Sequence, residues 1–565
     1  MPRFLSATLS LALLTPVLSS TGPWIPTSDF RSRSSDPDPK AIDAVFAAYD
    51  HTNTPGCALG VFRDERIIYA RGYGMADLNQ GLAITPRTVF YLASMSKQFT
   101  AAAIALLAEQ GKLSLEDPIR KYVPELPAYA DPITINQLVH HTSGIRDYLG
   151  LWQMSGRSIA DEIPEEQALD FLVRQKALDF PPGTKWSYSN SGYLLLTIIV
   201  KRASGQSLRE FTTANMFAPL GMTNTHFHDD NTMIVPNRAE GYQPSAKGGF
   251  EIVRTSFALV GDGGLYSTIE DLFRWDSNFY HNKLGSRGQA LVDQVYTPGT
   301  LSNGSPLTYG FGLMPGKYRG LPVIEHGGSF IGYRTQLMRF PKERFSVAVL
   351  CNDYTVNPDG LARKVADLYL ADRLEPVAAA PAAGAGVSVP AAKLDQLVGR
   401  YEVMTGFIFD IARRGDGLTF QQIGGGFPSA LRSVSDTVFE SGVFPGQFIF
   451  HTTPAGPGLN VTVFGTDVAP RMATAPTLGP ADFAAYNGRY TSDELDTWMV
   501  IEVRDGKLMA RSRYGRWMPL TVVRRDAFLV GQGIAVFERD KQAHVTGFKY
   551  SAARTQNLRF VRAAM

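Results

Sequence analysis

The segment around Ser94 carries the residue types that covalent acyl transfer requires. Lys97 follows Ser94 by three residues, so on a helix the two side chains lie on one face, one turn apart. A serine hydroxyl is a weak nucleophile unless a base lies beside it, and Lys97 is the base that this spacing offers. By itself the pattern is common by chance and also fits a serine helix cap followed by an exposed lysine.

The residues after Ser94 predict the helix that positions it. An alanine-rich, proline-free stretch runs to Glu109 and is followed by Gly111, which is typical of a helix with a glycine stop. Ser94 therefore lies at the helix start, where backbone N–H groups can stabilise a developing oxyanion.

Two further polar residues follow a rigid turn at 181–184. The phenol of Tyr188 can act as a base beside a cationic lysine. Asn190 can orient a substrate amide and bond Lys97. Without the serine–lysine pair, both would be read as ordinary turn residues.

A third group of four consecutive residues lies between two strand-like segments, 321–324 and 332–340: His326, Gly327, Gly328 and Ser329. Two glycines allow a strand edge to approach a ligand closely. The backbone N–H of Ser329 is then placed to be the second oxyanion donor, with the N–H of Ser94 as the first. Two polar glycine loops are also typical of residues that line a site: 140–144 and 261–264.

In this order, S-x-x-K at 94–97, Y-x-N at 188–190 and H-x-G at 326–328 resemble the motifs of the β-lactamase-related, penicillin-recognising serine hydrolases. This family includes class C β-lactamases, D,D-peptidases, esterases and D-aminopeptidases. The resemblance covers about 40–370. It implies an α/β catalytic domain, in which helices flank an antiparallel five-stranded sheet beside a helical lobe.

The resemblance also implies a role for each motif residue. The implied catalytic residues are Ser94, Lys97 and Tyr188. The implied substrate-binding residues are Asn190, His326, Gly327 and Gly328. Ser94 would be acylated, Lys97 and Tyr188 would share its proton and later deliver the hydrolytic water, and the N–H groups of Ser94 and Ser329 would form the oxyanion hole.

One departure from the β-lactamase motif bears on the substrate. The family's usual Lys-Thr-Gly, which holds a substrate carboxylate, is replaced here by His326-Gly327-Gly328. An imidazole is at best partly charged at neutral pH, so we expect weaker β-lactam or C-terminal D-Ala recognition. D-aminopeptidases and several esterases of the family carry H-x-G.

Four segments are similar to D-aminopeptidase segments: 96–100, 143–148, 309–313 and 492–496. That branch has two C-terminal lipocalin-like β domains, one of which sends a loop towards the active site. We therefore expect a D-aminopeptidase or D-amino-acid amidase acting on a small-molecule or peptide substrate. The alternatives are a carboxylesterase, then a D,D-carboxypeptidase or β-lactamase, and outside enzymes a silent binding or sensor protein.

The N-terminus predicts export. Arg3 precedes an apolar stretch from Phe4 to Leu18 and then small residues, the pattern of a secretory signal peptide, which we place at 1–20. The stretch is short for a bilayer span. We expect a periplasmic or secreted protein without stable membrane insertion.

Composition divides the remaining chain into five segments. These are a flexible leader at 21–39, the hydrolase domain at 40–373, an Ala/Pro/Gly linker at 374–392, and two antiparallel β-barrel domains at 393–475 and 480–565. The barrels are predicted to be repeats, because Gly-Arg-Tyr at 399–401 recurs at 488–490.

Charge and cysteine content exclude several classes of function. A formal net charge of +2 gives no argument for a nucleic-acid partner. Two cysteines exclude a disulfide scaffold and a Cys-rich metal site. His226, His228, Asp229 and Asp230 lack a further ligand at a characteristic spacing, so we expect no metal and no organic cofactor.

The two cysteines carry a smaller prediction. Cys57 opens a strand-like segment and Cys351 closes another. The family fold implies that these strands pair, which would allow a disulfide. We favour buried free thiols, because cross-strand bridges need a special geometry.

Overall fold

The computed structural model describes residues 36–158, 161–254, 256, 258–376, 386–423, 428–441, 446–462, 468–531, 533–552 and 554–563. The predicted signal peptide and most of the predicted leader lie outside these residues, as does 377–385 of the predicted linker.

The N-terminal region is mixed in secondary structure. Its helices are α1 (Pro39–Phe46), α2 (Lys97–Glu109), α3 (Ile135–Val139), α4 (Tyr148–Met154), α5 (Glu165–Val173), α6 (Asn190–Ser204), α7 (Leu208–Thr212), α8 (Ala218–Leu220), α9 (Ile269–Asn278), α10 (Gln289–Tyr296) and α11 (Pro358–Tyr369). Its strands are β1 (Cys57–Arg63), β2 (Arg66–Tyr73), β3 (Met75–Asp77), β4 (Leu82–Ala83), β5 (Phe90–Tyr91), β6 (His226–Phe227), β7 (Tyr242–Pro244), β8 (Phe250–Ile252), β9 (Leu265–Ser267), β10 (Met314–Tyr318), β11 (Leu321–Phe330), β12 (Tyr333–Phe340) and β13 (Phe345–Cys351).

The main sheet of this region is antiparallel and has the strand order β10-β11-β12-β13-β1-β2. The predicted fold class is confirmed, with six strands instead of the five that the resemblance implied. Edge strand β10 pairs along its length with β11. Its sequence, MPGKY, lacks the alternation of apolar and polar residues that marks a strand.

Helices cover both faces of the sheet, and strand β1 shows how the sequence builds two cores. Cys57, Leu59 and Val61 belong to the core beneath α1 and α11. Ala58 and Phe62 belong to the core that includes α2, α6 and α9. Because successive side chains point to opposite faces, a strand that is apolar throughout buries both faces of the sheet.

Cys57 and Cys351 form a disulfide, so the prediction of free thiols is wrong. The antiparallel register of β1 and β13 places the two residues directly opposite each other, with their Cα atoms 4.0 Å apart. The bridge joins positions 294 residues apart. Cross-linking such distant positions restricts the unfolded chain and thereby stabilises the fold.

The C-terminal region is almost entirely β-structure. The α-helices among its described residues are α12 (Ala391–Leu397) and α13 (Pro480–Phe483). The strands of its first sheet are β14 (Gly399–Met404), β15 (Phe407–Arg414), β16 (Gly417–Gln422), β17 (Ser429–Ser433), β18 (Val438–Ser441), β19 (Gln447–Thr453), β20 (Gly456–Val461) and β21 (Ala469–Pro470). Those of its second sheet are β22 (Gly488–Ser492), β23 (Thr497–Arg504), β24 (Lys507–Ser512), β25 (Met518–Pro519), β26 (Thr521–Arg524), β27 (Ala527–Val530), β28 (Gly533–Arg539), β29 (Val545–Ala552) and β30 (Thr555–Arg562).

Both sheets are antiparallel and nearly closed. In the first, a bridge between Tyr401 and Arg471 joins the ends. In the second, the edge strands β25 and β26 are separated in sequence by Leu520 alone. The Gly-Arg-Tyr repeats open the equivalent strands β14 and β22, and each tyrosine hydroxyl donates to the carbonyl four residues earlier, Leu397 for Tyr401 and Tyr486 for Tyr490.

The two sheets differ in how they pack. The first has a hydrophobic core of its own. The helices α2, α4 and α6 pack together and form the helical lobe. The interior of the second sheet is continuous with the core of this lobe, so that Tyr490 and Phe548 belong to the same cluster as Tyr148 and Leu151. The second sheet is therefore the one joined to the lobe that holds the predicted site. Within the described part of the chain, every helix is too short or too polar to cross a membrane.

Candidate active site

Ser94 lies on a 3-10 turn, Ala93–Ser96, that leads directly into α2. The predicted helix is confirmed with its start at Lys97 and its end at Glu109. Ala93 has a φ of +49°, in the left-handed region that a residue with a side chain rarely adopts. Ser94 thus follows a strained residue and is itself partly exposed.

Lys97 is fully buried, and its ammonium donates three hydrogen bonds. The acceptors are Ser94 Oγ at 3.3 Å, Asn190 Oδ1 at 2.9 Å and the carbonyl oxygen of Asp262 at 2.6 Å. An ammonium has three donors, so this set satisfies it without a carboxylate in direct contact. The structure therefore brings Ser94, Lys97 and Asn190 together as the sequence predicts.

Hydrogen bonds hold both the backbone and the side chain of Asn190. It is the first residue of α6, and its backbone N–H donates to Asp147 Oδ2 at 2.8 Å. Asp147 in turn caps the start of α4. A carboxylate that accepts at two helix starts is stabilised by both helix dipoles, and it fixes the amide that contacts Lys97.

The ring of Tyr188 lies against Lys97, with its centroid 4.7 Å from the ammonium nitrogen. The Tyr188 hydroxyl is buried, and among the described residues it has no hydrogen-bond partner. It therefore does not bond Ser94 in this structure. A buried hydroxyl without a partner costs free energy unless a ligand or water completes it.

His326 is buried and neutral. Its Nδ1 lies 2.6 Å from the carbonyl oxygen of Gly327, which can only accept, so Nδ1 carries the proton. Its Nε2 then accepts from the Tyr309 hydroxyl at 3.0 Å. Burial, together with a smaller effect of nearby Lys97, lowers the pKa of His326 to about 4. The third motif consequently presents no positive charge at neutral pH.

Gly328 lets strand β11 approach the turn that carries Ser94. A Cβ at this position would lie 2.1 Å from the carbonyl oxygen of Leu92 and 3.1 Å from the Cβ of Ala93. The next residue, Ser329, is exposed. The absence of a side chain at Gly328 thus allows the backbone beside Ser329 to lie close to the turn before Ser94.

Both predicted loops lie against the motif residues. In loop 261–264, the carbonyl of Asp262 accepts from Lys97, and its carboxylate accepts from the Tyr148 hydroxyl at 3.0 Å. Burial raises the pKa of Asp262. In loop 140–144, the ring of His141 lies 4.4 Å from that of Tyr188, and burial lowers the pKa of His141 well below its ordinary value.

Arg554 reaches the same site from the second C-terminal sheet, and sequence reasoning missed it. Its guanidinium carbon lies 5.4 Å from the centroid of the Tyr188 ring. The resemblance implied a loop from a β domain near the site, but a single arginine in a hairpin turn carries no pattern that distinguishes it from other surface arginines.

A buried ionic cluster also joins the second sheet to the lobe. Arg146 donates to Glu494 Oε2 at 2.6 Å, Gln175 Oε1 at 2.8 Å and Asp179 Oδ1 at 3.3 Å. The side chains of Arg146 and Glu494 are 3% and 8% exposed. The segments 143–148 and 492–496, both of which are similar to D-aminopeptidase segments, therefore contact each other.

The histidines considered as metal ligands lie elsewhere. His226 Nε2 is 3.4 Å from His228 Nδ1, and burial lowers the pKa of His226 to about 4. Among the residues that the structure describes, no three His, Cys, Asp or Glu side chains are grouped as a metal would require.

Sequence comparison identifies relatives over most of the chain. Residues 42–372 match the family described as Beta-lactamase. A D-aminopeptidase of Cereibacter sphaeroides (strain ATCC 17023) is 28% identical over 471 residues, covering 83% of this chain and 84% of the relative. A match of that length extends beyond residue 372 into the C-terminal region.

Solved structures share the fold. The octameric penicillin-binding protein homologue from Pyrococcus abyssi has a TM-score of 0.54 at 23% identity, covering 76% of this chain and 98% of that one. The D-amino acid amidase from Ochrobactrum anthropi SV3 has a TM-score of 0.51 at 22% identity, covering 59% of this chain and 99% of that one.

Proposed function

The chain belongs to the beta-lactamase family and is a serine hydrolase of that fold, and we propose that it is a D-aminopeptidase or D-amino-acid amidase working through an acyl-enzyme at Ser94. The observation that carries the chemistry is the contact between Lys97 Nζ and Ser94 Oγ, which are 3.3 Å apart. Asn190 and the Asp262 carbonyl hold the lysine in that position. A fixed base beside a hydroxyl at a helix start is what a serine nucleophile needs.

In the proposed reaction, Lys97 in its neutral form takes the proton from Ser94 as the hydroxyl attacks the scissile carbonyl. Tyr188, whose hydroxyl has no hydrogen-bond partner among the described residues, passes a proton to the departing amine. The acyl-enzyme is then hydrolysed by a water that the same two residues activate. Each proton transfer requires that donor and acceptor lie within hydrogen-bond distance. Because the Tyr188 hydroxyl has no hydrogen-bond partner among the described residues, it is available to bond the substrate.

The oxyanion would be stabilised by the backbone N–H groups of Ser94 and Ser329. The close packing of Gly328 on Leu92 supports this arrangement, because it brings β11 to the turn before Ser94. Donors fixed before the reaction stabilise the developing charge without reorganisation.

This arrangement predicts a large effect of a single methyl group. In Gly328→Ala, the added Cβ would lie 2.1 Å from a backbone oxygen, so the strand or the turn must shift. We expect kcat to fall by about 10- to 100-fold and the free energy of unfolding to fall by about 1–3 kcal/mol. Steady-state kinetics and thermal unfolding measure the two effects.

Gly316→Ala is the matched control for that variant. Gly316 lies on neighbouring strand β10, where an added Cβ would have Val323 Cγ1, at 3.8 Å, as its single neighbour within 4 Å among the described residues. Wild-type turnover in Gly328→Ala would contradict an oxyanion hole formed by β11.

The assignment to D-amino-acid substrates rests on two further observations. The similarity to a D-aminopeptidase extends from the catalytic region into the C-terminal region. The neutral His326 argues against a carboxylate held at the third motif, as in D,D-carboxypeptidases and β-lactamases. A carboxylesterase is the second candidate, because the neutral third motif fits an uncharged ester equally well. A silent binding or sensor protein would have no chemical need for the Lys97–Ser94 pair.

The test compares D-alanine p-nitroanilide with its L-enantiomer, its N-acetyl derivative and p-nitrophenyl butyrate, with Ser94→Ala as the control. We expect D-selective anilide cleavage that requires the free amino group and is lost in the variant. Butyrate cleavage without anilide cleavage would instead assign a carboxylesterase. Cleavage of the N-acetyl derivative alone would contradict the aminopeptidase proposal.

We also propose that the protein is exported. The predicted signal peptide at 1–20 supports this, and so does the Cys57–Cys351 disulfide, since such bonds persist in oxidising compartments. N-terminal sequencing of the protein purified from its native host is expected to begin near residue 21; a chain that still begins at Met1 would overturn the proposal.

A further inference from the structure

We propose that Arg554, supplied by the second C-terminal sheet, binds a free carboxylate on the leaving group of the substrate. The favoured substrates are then D-aminoacyl peptides that end one residue after the scissile bond, rather than simple amides. The inference rests on the proposed function, because it takes Ser94 as the acylated residue and Tyr188 as the neighbour of the departing amine.

The backbone of Arg554 is fixed on the catalytic lobe. Arg554 lies in the turn between β29 and β30, and its carbonyl accepts from the backbone N–H of Asp147 at 3.1 Å. Further along the hairpin, the backbone N–H of Gln556 donates to Asp179 Oδ1 at 2.8 Å. The hairpin is thus anchored at Arg554 itself and two residues beyond it, which limits where the Arg554 side chain can reach.

The guanidinium of Arg554 has N–H donors with which it can bind a ligand. Its side chain is 39% exposed and lies over the Tyr188 ring. Its carboxylate neighbour among the described residues is Asp147, at 3.8 Å, too far for a hydrogen bond. That carboxylate already accepts from three backbone N–H groups at the starts of α4 and α6. A guanidinium has five donors in a fork that matches a carboxylate.

The other basic groups at this site cannot take that role. Lys97 is fully buried, and its three donors are used within the protein. His326 is neutral at pH 7 and bonded at both ring nitrogens. Arg554 therefore combines positive charge with exposure beside Tyr188.

Because Arg554 lies beside Tyr188, the carboxylate that it binds would belong to the leaving group and not to the acyl group of the substrate. When a dipeptide is cleaved, the departing nitrogen takes its proton from the Tyr188 side of the site. In an α-amino acid, the carboxylate carbon is two bonds from that nitrogen. A terminal carboxylate is thus carried to the neighbourhood of the Tyr188 ring, where Arg554 lies.

The experiment compares D-alanylglycine with D-alanylglycinamide, which differ only in the terminal carboxylate. In the wild type we expect kcat/KM to be about 10- to 100-fold higher for D-alanylglycine, mainly through KM. Arg554→Ala is expected to bring this ratio close to one. Arg554→Lys, which keeps the charge but loses the fork, is expected to be intermediate.

Arg559→Ala is the matched control, since Arg559 is an exposed arginine on β30 of the same hairpin; we expect it to keep the wild-type ratio. Equal kcat/KM for the two substrates in the wild type would overturn the inference, as would an equal loss for both in Arg554→Ala, which indicates a structural role. Cleavage of D-alanine p-nitroanilide without cleavage of either dipeptide derivative would overturn it and leave the proposed function standing. Failure of all D-aminoacyl substrates would instead overturn the proposed function.

Discussion

Replacing Ser94 with alanine or Lys97 with methionine is expected to lower kcat/KM by about four orders of magnitude each, and the double variant is expected to lose no more than the larger single loss. Lys97 Nζ contacts Ser94 Oγ directly. Because the lysine has no catalytic purpose without the hydroxyl, and the hydroxyl is a poor nucleophile without the lysine, the two losses cannot add. Steady-state kinetics with D-alanine p-nitroanilide measure all three variants.

Lys201→Met is the control for the loss of a lysine charge. Lys201 lies on α6, the helix of Asn190, but its side chain is 62% exposed and pairs with Glu165 at 4.0 Å. We expect wild-type kinetics for this variant. Losses of Ser94 and Lys97 that multiply in the double variant would show that the two residues act independently and would contradict the proposed mechanism.

The parts of the site that could be predicted from sequence are those with side chains in fixed local patterns. Ser94 and Lys97 lie on one helix turn, and Asn190 begins the next buried helix, so spacing and family resemblance together indicated their contact. The strand pairing of β1 with β13 was implied in the same way. Side chains that act together and have a fixed spacing along the chain could therefore be placed together from the sequence.

The parts that could not be predicted depend on register or on backbone atoms. The disulfide requires Cys57 and Cys351 to be exact partners across two strands, and a shift of one residue would separate them. The carbonyl of Asp262 accepts from Lys97 through an atom that every residue has. Arg554 reaches Tyr188 only because a distant hairpin packs on the lobe. None of these contacts leaves a local pattern in the sequence.

The buried cluster at Glu494 shows how the second sheet supports the catalytic residues. Arg146 pairs with Glu494, and the next residue, Asp147, bonds the backbone of Asn190, which holds Lys97. Glu494 also accepts from the backbone N–H of Lys176. Removal of the carboxylate therefore disturbs a chain of contacts that ends at the proposed base.

We expect Glu494→Ala to lower the free energy of unfolding by about 3–5 kcal/mol, because Arg146 would stay buried without its closest carboxylate. We also expect a fall in kcat of about tenfold, which would correspond to a displacement of Asn190 smaller than 1 Å. Thermal unfolding and steady-state kinetics measure the two effects. Glu502→Ala is the matched control, because Glu502 lies in the same sheet but is 42% exposed and pairs only with Arg504 among the described residues.

The loss of stability in Glu494→Ala should depend on pH through Asp179, the second carboxylate beside Arg146. Burial raises the pKa of Asp179 to about 7, although Arg146 opposes the shift. At about pH 6 Asp179 is mostly protonated in the folded protein, so the variant leaves Arg146 without an ionised partner; at about pH 8.5 Asp179 is ionised and can replace Glu494. We therefore expect the variant to lose more stability relative to the wild type at the lower pH. An equal loss at both pH values would show that Asp179 does not compensate, and a loss below about 1 kcal/mol at both would show that the pair does not hold the second sheet on the lobe.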